Sequence, residues 1–262
     1  MGYKFDANRT TMELILWIRD WFDVNGKNCN AVIGISGGKD SSVVAALCVA
    51  ALGADRVYGV LMPNGEQSDI DDSYELVQHL GIKYITTNIS QIIESFRNGF
   101  CFVNKDYTME NPVLWSEQTK INLPPRIRMT MLYAISQSVN GRVSNNCNLS
   151  EDWIGYSTRY GDSVGDFSPL SQLTTDEVVA VGRELGLPEK LINKVPADGL
   201  CGKTDEDNFG FSYQVLNKYI REGIYEDEEI KKKIDYLHDK NRFKLFPMEY
   251  YIPSKKCLWE NV

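Results

Sequence analysis

Residues 30–53, NAVIGISGGKDSSVVAALCVAALG, constrain the fold of this chain more than any other stretch. Asn30 to Ile35 is a short apolar run of strand length, Gly37 and Gly38 interrupt it, and Asp40 to Gly53 reads as an apolar helix closed by its glycine. A strand that turns through paired glycines into a helix opens a βαβ unit. The pattern then repeats. Residues 56–62 (RVYGVLM) read as a strand and 68–81 as a helix with an acidic first turn and Gly81 after its end. Residues 83–89 (KYITTNI) read as a third strand, followed by a helix with Ser90 as its N-cap. This alternation predicts an α/β fold with a doubly wound, Rossmann-like parallel sheet and right-handed crossovers. Residues 11–22 (TMELILWIRDWF) add a helix ahead of the first strand.

Downstream the periodicity weakens. A loop precedes a helix from about Pro124 to Val139, and RVSN (142–145) is a short strand. Residues 146–172, rich in Gly, Ser and Asp, read as an active-site loop region. Thr174 or Thr175 opens a helix that Gly186 and Pro188 stop. Residues 198–210 hold three glycines and no apolar period, which predicts a mobile loop, and Ser212 to Asp239 is helical and charged. With no internal repeat and no linker-like stretch, residues 1–262 read as one domain.

Charge and cysteine usage exclude several classes. The formal net charge is −8, which disfavours a broad nucleic-acid footprint and leaves room only for local basic contacts to a small anion. No apolar run reaches the ~20 residues of a membrane helix. The start lacks the basic and small-residue features of a signal peptide, and Asp6 stands where a myristoylation signal needs Ser or Thr. Cysteines at 29, 48, 101, 147, 201 and 257 form no CxxC pair, which fits core packing in a reducing, cytoplasmic compartment. His79 and His238 are too few for a histidine-rich metal site.

The loop itself is not a Walker A motif. Asp40 follows Gly38-Lys39 where Ser or Thr is required, and Ile33 stands where the first glycine should be. The string left is Ser36-Gly37-Gly38-Lys39-Asp40-Ser41 between a strand and a helix. Paired glycines let the backbone approach an anion, and a helix N-terminus offers free N–H groups. Asp40 would repel a bare phosphate, which suggests a Mg²⁺ ion between them. The competing reading is a plain βα turn capped by Ser or Asp.

The string SGGxDS resembles the pyrophosphate loop of the N-type ATP pyrophosphatases, whose fold is the adenine nucleotide alpha hydrolase-like one. The resemblance implies ATP cleavage between the α and β phosphates, with ATP contacts from Gly34, Ile35, Ser36, Gly37, Gly38, Lys39, Asp40 and Ser41 on the loop and from Met62 on the next strand. Three further segments resemble ammonia-dependent NAD synthetases. NLPPRIRMTMLYA (122–134) implies that Arg126 meets deamido-NAD; residues i and i+2 cannot share a helix face, so Arg126 and Arg128 serve different partners. NNCNLSEDWIGYSTRYGDSVGDFSPLSQLT (145–174) implies Glu151 as the second Mg²⁺ ligand beside Asp40, with Arg159, Asp162 and Asp166 at the nicotinate-ribose end. KVPADGLCGKTDEDNFGFSYQVLNKYI (194–220) implies a loop that folds over the nucleotides, with Lys203 and Thr204 near phosphates. NRFKLFP (241–247) keeps Lys244 as a substrate contact, while Phe243 replaces the family's His.

The chain departs from the family at several contacts. Asn146 replaces a Thr and Thr175 a Lys at positions that meet ATP, Arg159 replaces a Lys, and Ala197 carries no hydroxyl. The implied reaction is amidation of deamido-NAD with ammonia through a nicotinoyl-adenylate. Asp40, Glu151 and Asp162 are its candidate catalytic residues, and the family's homodimer is the implied assembly. The alternatives are another adenylating enzyme of the superfamily, either an amidotransferase synthetase subunit or a tRNA-modifying enzyme, and a non-enzymatic nucleotide-binding protein.

Overall fold

A computed structural model describes residues 2–106, 115–194 and 205–251. Along the chain the elements are α1 (Ala7–Asn25), β1 (Asn30–Ile35), α2 (Lys39–Leu52), β2 (Val57–Leu61), α3 (Ile70–Leu80), β3 (Lys83–Thr86), α4 (Ser90–Asp106) and α5 (Glu117–Ser138). They continue with β4 (Gly141–Val143), α6 (Leu149–Ile154), α7 (Thr175–Glu184), α8 (Glu189–Ile192), α9 (Asp205–Phe209), α10 (Tyr213–Glu222) and α11 (Glu228–Asn241). The strands form one parallel sheet in the order β3-β2-β1-β4. This is the doubly wound α/β sheet that the alternation predicts.

Side-chain alternation on β1 assigns the two faces. Ala31, Ile33 and Ile35 pack with Val43, Leu47, Val178 and Ile192 of α2, α7 and α8 and with Ile18 and Phe22 of α1. Val32 points the other way, into a cluster with Val60, Met62, Ile89 and Ile127. Helix α2 is apolar almost all round because neighbours enclose it, as its sequence SVVAALCVAAL requires. A third cluster joins Ile154, Phe209, Tyr213, Leu216 and Ile234, and so holds α6 against α9, α10 and α11.

The strand order places the site. The chain steps outward from β1 to β2 to β3, then returns to lay β4 on the other side of β1. In open α/β sheets, ligands bind beyond the carboxyl ends of the strands where the order reverses, which here is between β1 and β4. β4 pairs with Asn30, Ala31 and Val32, whereas β1 continues to Ile35. The two strands therefore part before β1 ends.

Several expectations are corrected. Helix α5 starts at Glu117, two turns before Pro124, because the Ser116 hydroxyl accepts from the Thr119 amide at 3.1 Å and caps it. Pro124 and Pro125 remain inside the helix, where Pro124 is buried. The region 146–172 contains α6, which is too short to show a period, and the last residues of 198–210 form α9. The stretch from Ser212 to Asp239 is split between α10 and α11. At α4 the capping oxygen comes from Asn88, which accepts from the Ser90 amide at 3.0 Å, rather than from Ser90. As one of the two alternatives read from the sequence, Thr174 caps α7. Among the described residues no helix is long and apolar enough to cross a membrane.

Candidate active site

The glycine turn is held by its own serines. The Ser36 and Ser41 hydroxyls lie 3.1 Å apart, and the Gly38 amide donates to Ser36 Oγ at 3.2 Å. The Ser42 hydroxyl donates to the Gly38 carbonyl at 2.7 Å. Among the described residues no side chain caps the start of α2, so its first N–H groups face the turn with the positive end of the helix dipole behind them. Gly37 sits at φ +77°, and a Cβ there would meet Ser73 Oγ at 3.0 Å and Asp72 Cβ at 3.1 Å. The first turn of α3 thus abuts the loop. Asp72 is held below the ordinary carboxylate range by hydrogen bonds from Lys190 and Lys194, which tie this turn to α8 and the residues just after it.

Asp40, in the first turn of α2, has both carboxylate oxygens engaged. The Lys39 ammonium meets Oδ2 at 2.8 Å, and Asn148 Nδ2 donates to Oδ1 at 3.0 Å. Asn148 is fully buried and also caps α6: its Oδ1 accepts from the Glu151 amide at 3.1 Å, and Glu151 Oε2 accepts from the Asn148 amide at 3.3 Å. One asparagine therefore links the two acidic residues, although 108 positions separate it from Asp40. Among the described residues no group of three or more His, Cys, Asp or Glu side chains gathers around a point. Two hard oxygen donors beside a glycine turn that opens a helix are a donor set that fits Mg²⁺, which usually takes one or two carboxylates and completes its shell with phosphates and water.

Around this centre the chain returns from β4. Asn146 Nδ2 donates to the Gly34 carbonyl at 3.0 Å, so Asn146 sits against the end of β1. Ile35 is buried in the core just before the turn. The Met62 carbonyl, past β2, accepts from Arg128 Nε at 3.1 Å, whereas Arg126 donates to the Arg159 carbonyl at 3.2 Å. The two arginines do serve different partners. Burial pulls the Arg128 guanidinium below its usual value.

Asp166 accepts from the Val143 amide at 2.7 Å and from the Tyr133 hydroxyl at 3.2 Å; burial and this carboxylate push the tyrosine up to about 12. Asp162 accepts from the Thr158 amide at 2.9 Å, and burial raises its pKa despite that bond. Its neighbour Asp152 is raised to about 6, by burial first and then by the charge of Asp162. Burial also lifts the Cys147 thiol well above its usual value, so it is no ready nucleophile. Lys244 Nζ donates to the carbonyls of Gly155 at 2.8 Å and Ser157 at 3.2 Å. Arg159 and Lys244 line one cavity of about 240 Å³ with Tyr160, Ser163, Phe246 and Met248.

Thr175 is 4% exposed, and its hydroxyl accepts from Asn217 Nδ2 at 2.8 Å, in a buried network with Ser150. Lys203 and Thr204 lie outside the described residues, as does Ala197.

Over residues 10–246 the chain matches the NAD synthase family. It belongs to that family. The NH(3)-dependent NAD(+) synthetase of Methanococcus aeolicus is 40% identical over 192 residues, 72% of each chain. That of Pyrococcus horikoshii is 38% identical over 217 residues, 82% of this chain and 78% of its own. Among solved structures, an NMN synthetase from Francisella tularensis superposes with a TM-score of 0.82 at 28% identity, over 96% of this chain and all of its own. The NH3-dependent NAD synthetase of Campylobacter jejuni superposes with a TM-score of 0.72 at 27% identity, over 95% of this chain and all of its own.

Family membership does not by itself single out Asn148, which sequence reasoning missed. The signal was present: Asn148 and Glu151 have the N-cap and N3 spacing of a capping box. Nothing local points to Asp40 as the second partner. Asp152, adjacent to the candidate Glu151, was missed for the same reason: its neighbour Asp162 is brought close only by the fold.

Proposed function

We propose that this NAD synthase family enzyme amidates deamido-NAD with ammonia, consuming ATP and releasing AMP and pyrophosphate. The observation that carries the reading is the Asp40–Asn148–Glu151 link beside the open glycine turn, at the point where the strand order reverses. The turn from Ser36 to Ser41 would grip the β and γ phosphates and leave the α-phosphorus exposed to attack. A carboxylate is a poor electrophile because it is anionic and would have to expel oxide. Attack by the nicotinate carboxylate on the α-phosphorus makes a mixed anhydride with AMP as its leaving group. Ammonia then displaces AMP and forms the amide.

Asp40 and Glu151 would hold Mg²⁺, which supplies positive charge to the phosphates as pyrophosphate departs. Arg159 and Lys244 would provide cationic walls for the nicotinate-ribose end, Arg126 supports Arg159 by donating to its carbonyl, and Asp166 is held at the end of β4 by the Val143 amide. Asp162, a buried carboxylate with a raised pKa, is suited to hold ammonium and accept a proton as ammonia is released. Gly34, Ile35 and Met62 would shape the adenine side, with Asn146 in the place of the family's Thr; Thr175, expected to meet ATP, is instead buried with its hydroxyl held by Asn217 and serves the packing of α7. Residues 1–262 acting as one unit, a homodimer and a cytoplasmic location belong to the same reading; the first rests on the lack of repeats and linkers, the second on the family resemblance and the third on the unpaired cysteine spacing.

A second reading has an observation of its own. The NMN synthetase of Francisella tularensis superposes with a higher TM-score, 0.82 against 0.72, than the Campylobacter NAD synthetase. The same chemistry on nicotinate mononucleotide would yield NMN. Purified protein with ATP, Mg²⁺ and ammonium is supplied with each nicotinate nucleotide in turn, and NAD, NMN, AMP and pyrophosphate are quantified. NAD and AMP in equal amounts with deamido-NAD are expected. A preference for the mononucleotide selects the second reading, and ATP cleavage with neither rejects both.

A further inference from the structure

Lys39 is the first residue of α2, and its side chain is only 6% exposed. Lysine is rarely this buried, and a cation at a helix N-terminus faces the unfavourable end of the dipole. The ion pair with Asp40 at 2.8 Å and the face of Tyr213, whose ring centroid lies 5.8 Å from Nζ, help to offset that cost. The ammonium occupies the Asp40 oxygen that Asn148 leaves over. An incoming divalent ion at Asp40 would stand beside this cation and be repelled by it. A triphosphate arriving at the turn would attract it.

We propose that Lys39 is an internal counter-ion that exchanges with the metal. While the site is without nucleotide it neutralises Asp40; when metal and ATP enter together, it turns from Asp40 to the phosphate oxygens. Lys39 thus couples metal binding to nucleotide binding and disfavours metal alone. The proposal rests on the reading that ATP and Mg²⁺ occupy this loop.

The test uses Mn²⁺ as the metal, titrated against the full chain without nucleotide and followed by electron paramagnetic resonance. Lys39→Met should bind Mn²⁺ about tenfold more tightly than the unaltered enzyme, the lower end of what one opposing charge at this range contributes. Its KM for ATP should rise by a similar factor. Lys39→Arg, which keeps the charge, should stay within about twofold of the unaltered Mn²⁺ affinity. Lys39→Gln keeps a polar end on the stem and gives the same reading if the Met variant does not fold. Tighter metal binding is not an outcome of simple structural damage. Unchanged or weaker Mn²⁺ binding in the neutral variants overturns the proposal. The titration needs no turnover, so it judges Lys39 separately from the amidation reading, which stands or falls on NAD formation.

Discussion

Replacing Asn148 tests whether the link between Asp40 and Glu151 organises the site. In Asn148→Ala, the Glu151 amide loses its cap acceptor and Asp40 loses one donor. Loss of an N-cap costs about 1 kcal/mol, and loss of a hydrogen bond to a charged group about 1.5–3 kcal/mol before solvent is counted. Asp40 keeps Lys39 and is 19% exposed, so water recovers part of the second term. A net cost of about 2 kcal/mol lowers the melting temperature of a chain this size by roughly 4–8 °C. Asn148→Ser separates the two roles, because serine caps a helix but is too short to replace the amide donor to Asp40. Thermal melting should show the Ser variant recovering about half of the lost stability. Its kcat/KM for NAD formation should remain at least about tenfold low, equivalent to ~1.4 kcal/mol of transition-state stabilisation. Unaltered kcat/KM in Asn148→Ser would refute the reasoning, since the cap alone would then account for this residue.

Three further outcomes are expected. Arg221→Ala removes the partner of Glu177, which is 4% exposed; burial pushes that carboxylate up, but hydrogen bonds from Arg221 and Tyr3 hold it below its ordinary value. The loss, about 3 kcal/mol at pH 7 in urea melts, should shrink as the pH falls below about 4, because a depressed carboxylate contributes stability only while ionised. Asp152→Asn has the opposite sign: a carboxylate raised to about 6 loses its favourable contribution as pH rises through that value, so the variant should be about 1–3 kcal/mol more stable at pH 8 and unchanged below pH 4. Gly155→Ala drives a Cβ into the Asn241 side chain at φ +64°, and should cost at least about 2 kcal/mol while raising KM for the nicotinate nucleotide, because Lys244 is anchored on the Gly155 carbonyl.

The sheet and the glycine turn after its first strand were legible because their signals are local. Paired glycines between a strand-length apolar run and a buried helix admit few alternatives, and Gly81 after α3 closes its helix as read. The start of α5 was not legible because Pro124 and Pro125 mark a boundary that the Ser116 cap overrides. Within the site, Asp40 stood out by its place in the glycine turn, and Glu151 only through the resemblance of residues 145–174 to the family. Asn148, Lys39 paired with Asp40, and the enclosure of Thr175 by Asn217 and Ser150 depend on contacts between distant segments or on side-chain burial. No window of sequence displays those.

The brevity of β4 has a consequence for how this architecture tolerates change. Its ladder to β1 ends at Val32. Past that point the Ser144 backbone amide donates to the Val32 carbonyl, and the Asn146 side-chain amide reaches the Gly34 carbonyl. Like a zip stopped short, the seam leaves a wedge whose two lips are the glycine turn and residues 144–148. Lengthening β4 by two paired residues would close the wedge and leave the hydrophobic layers untouched, giving a protein that folds and melts normally but lacks the cleft proposed for the nucleotide.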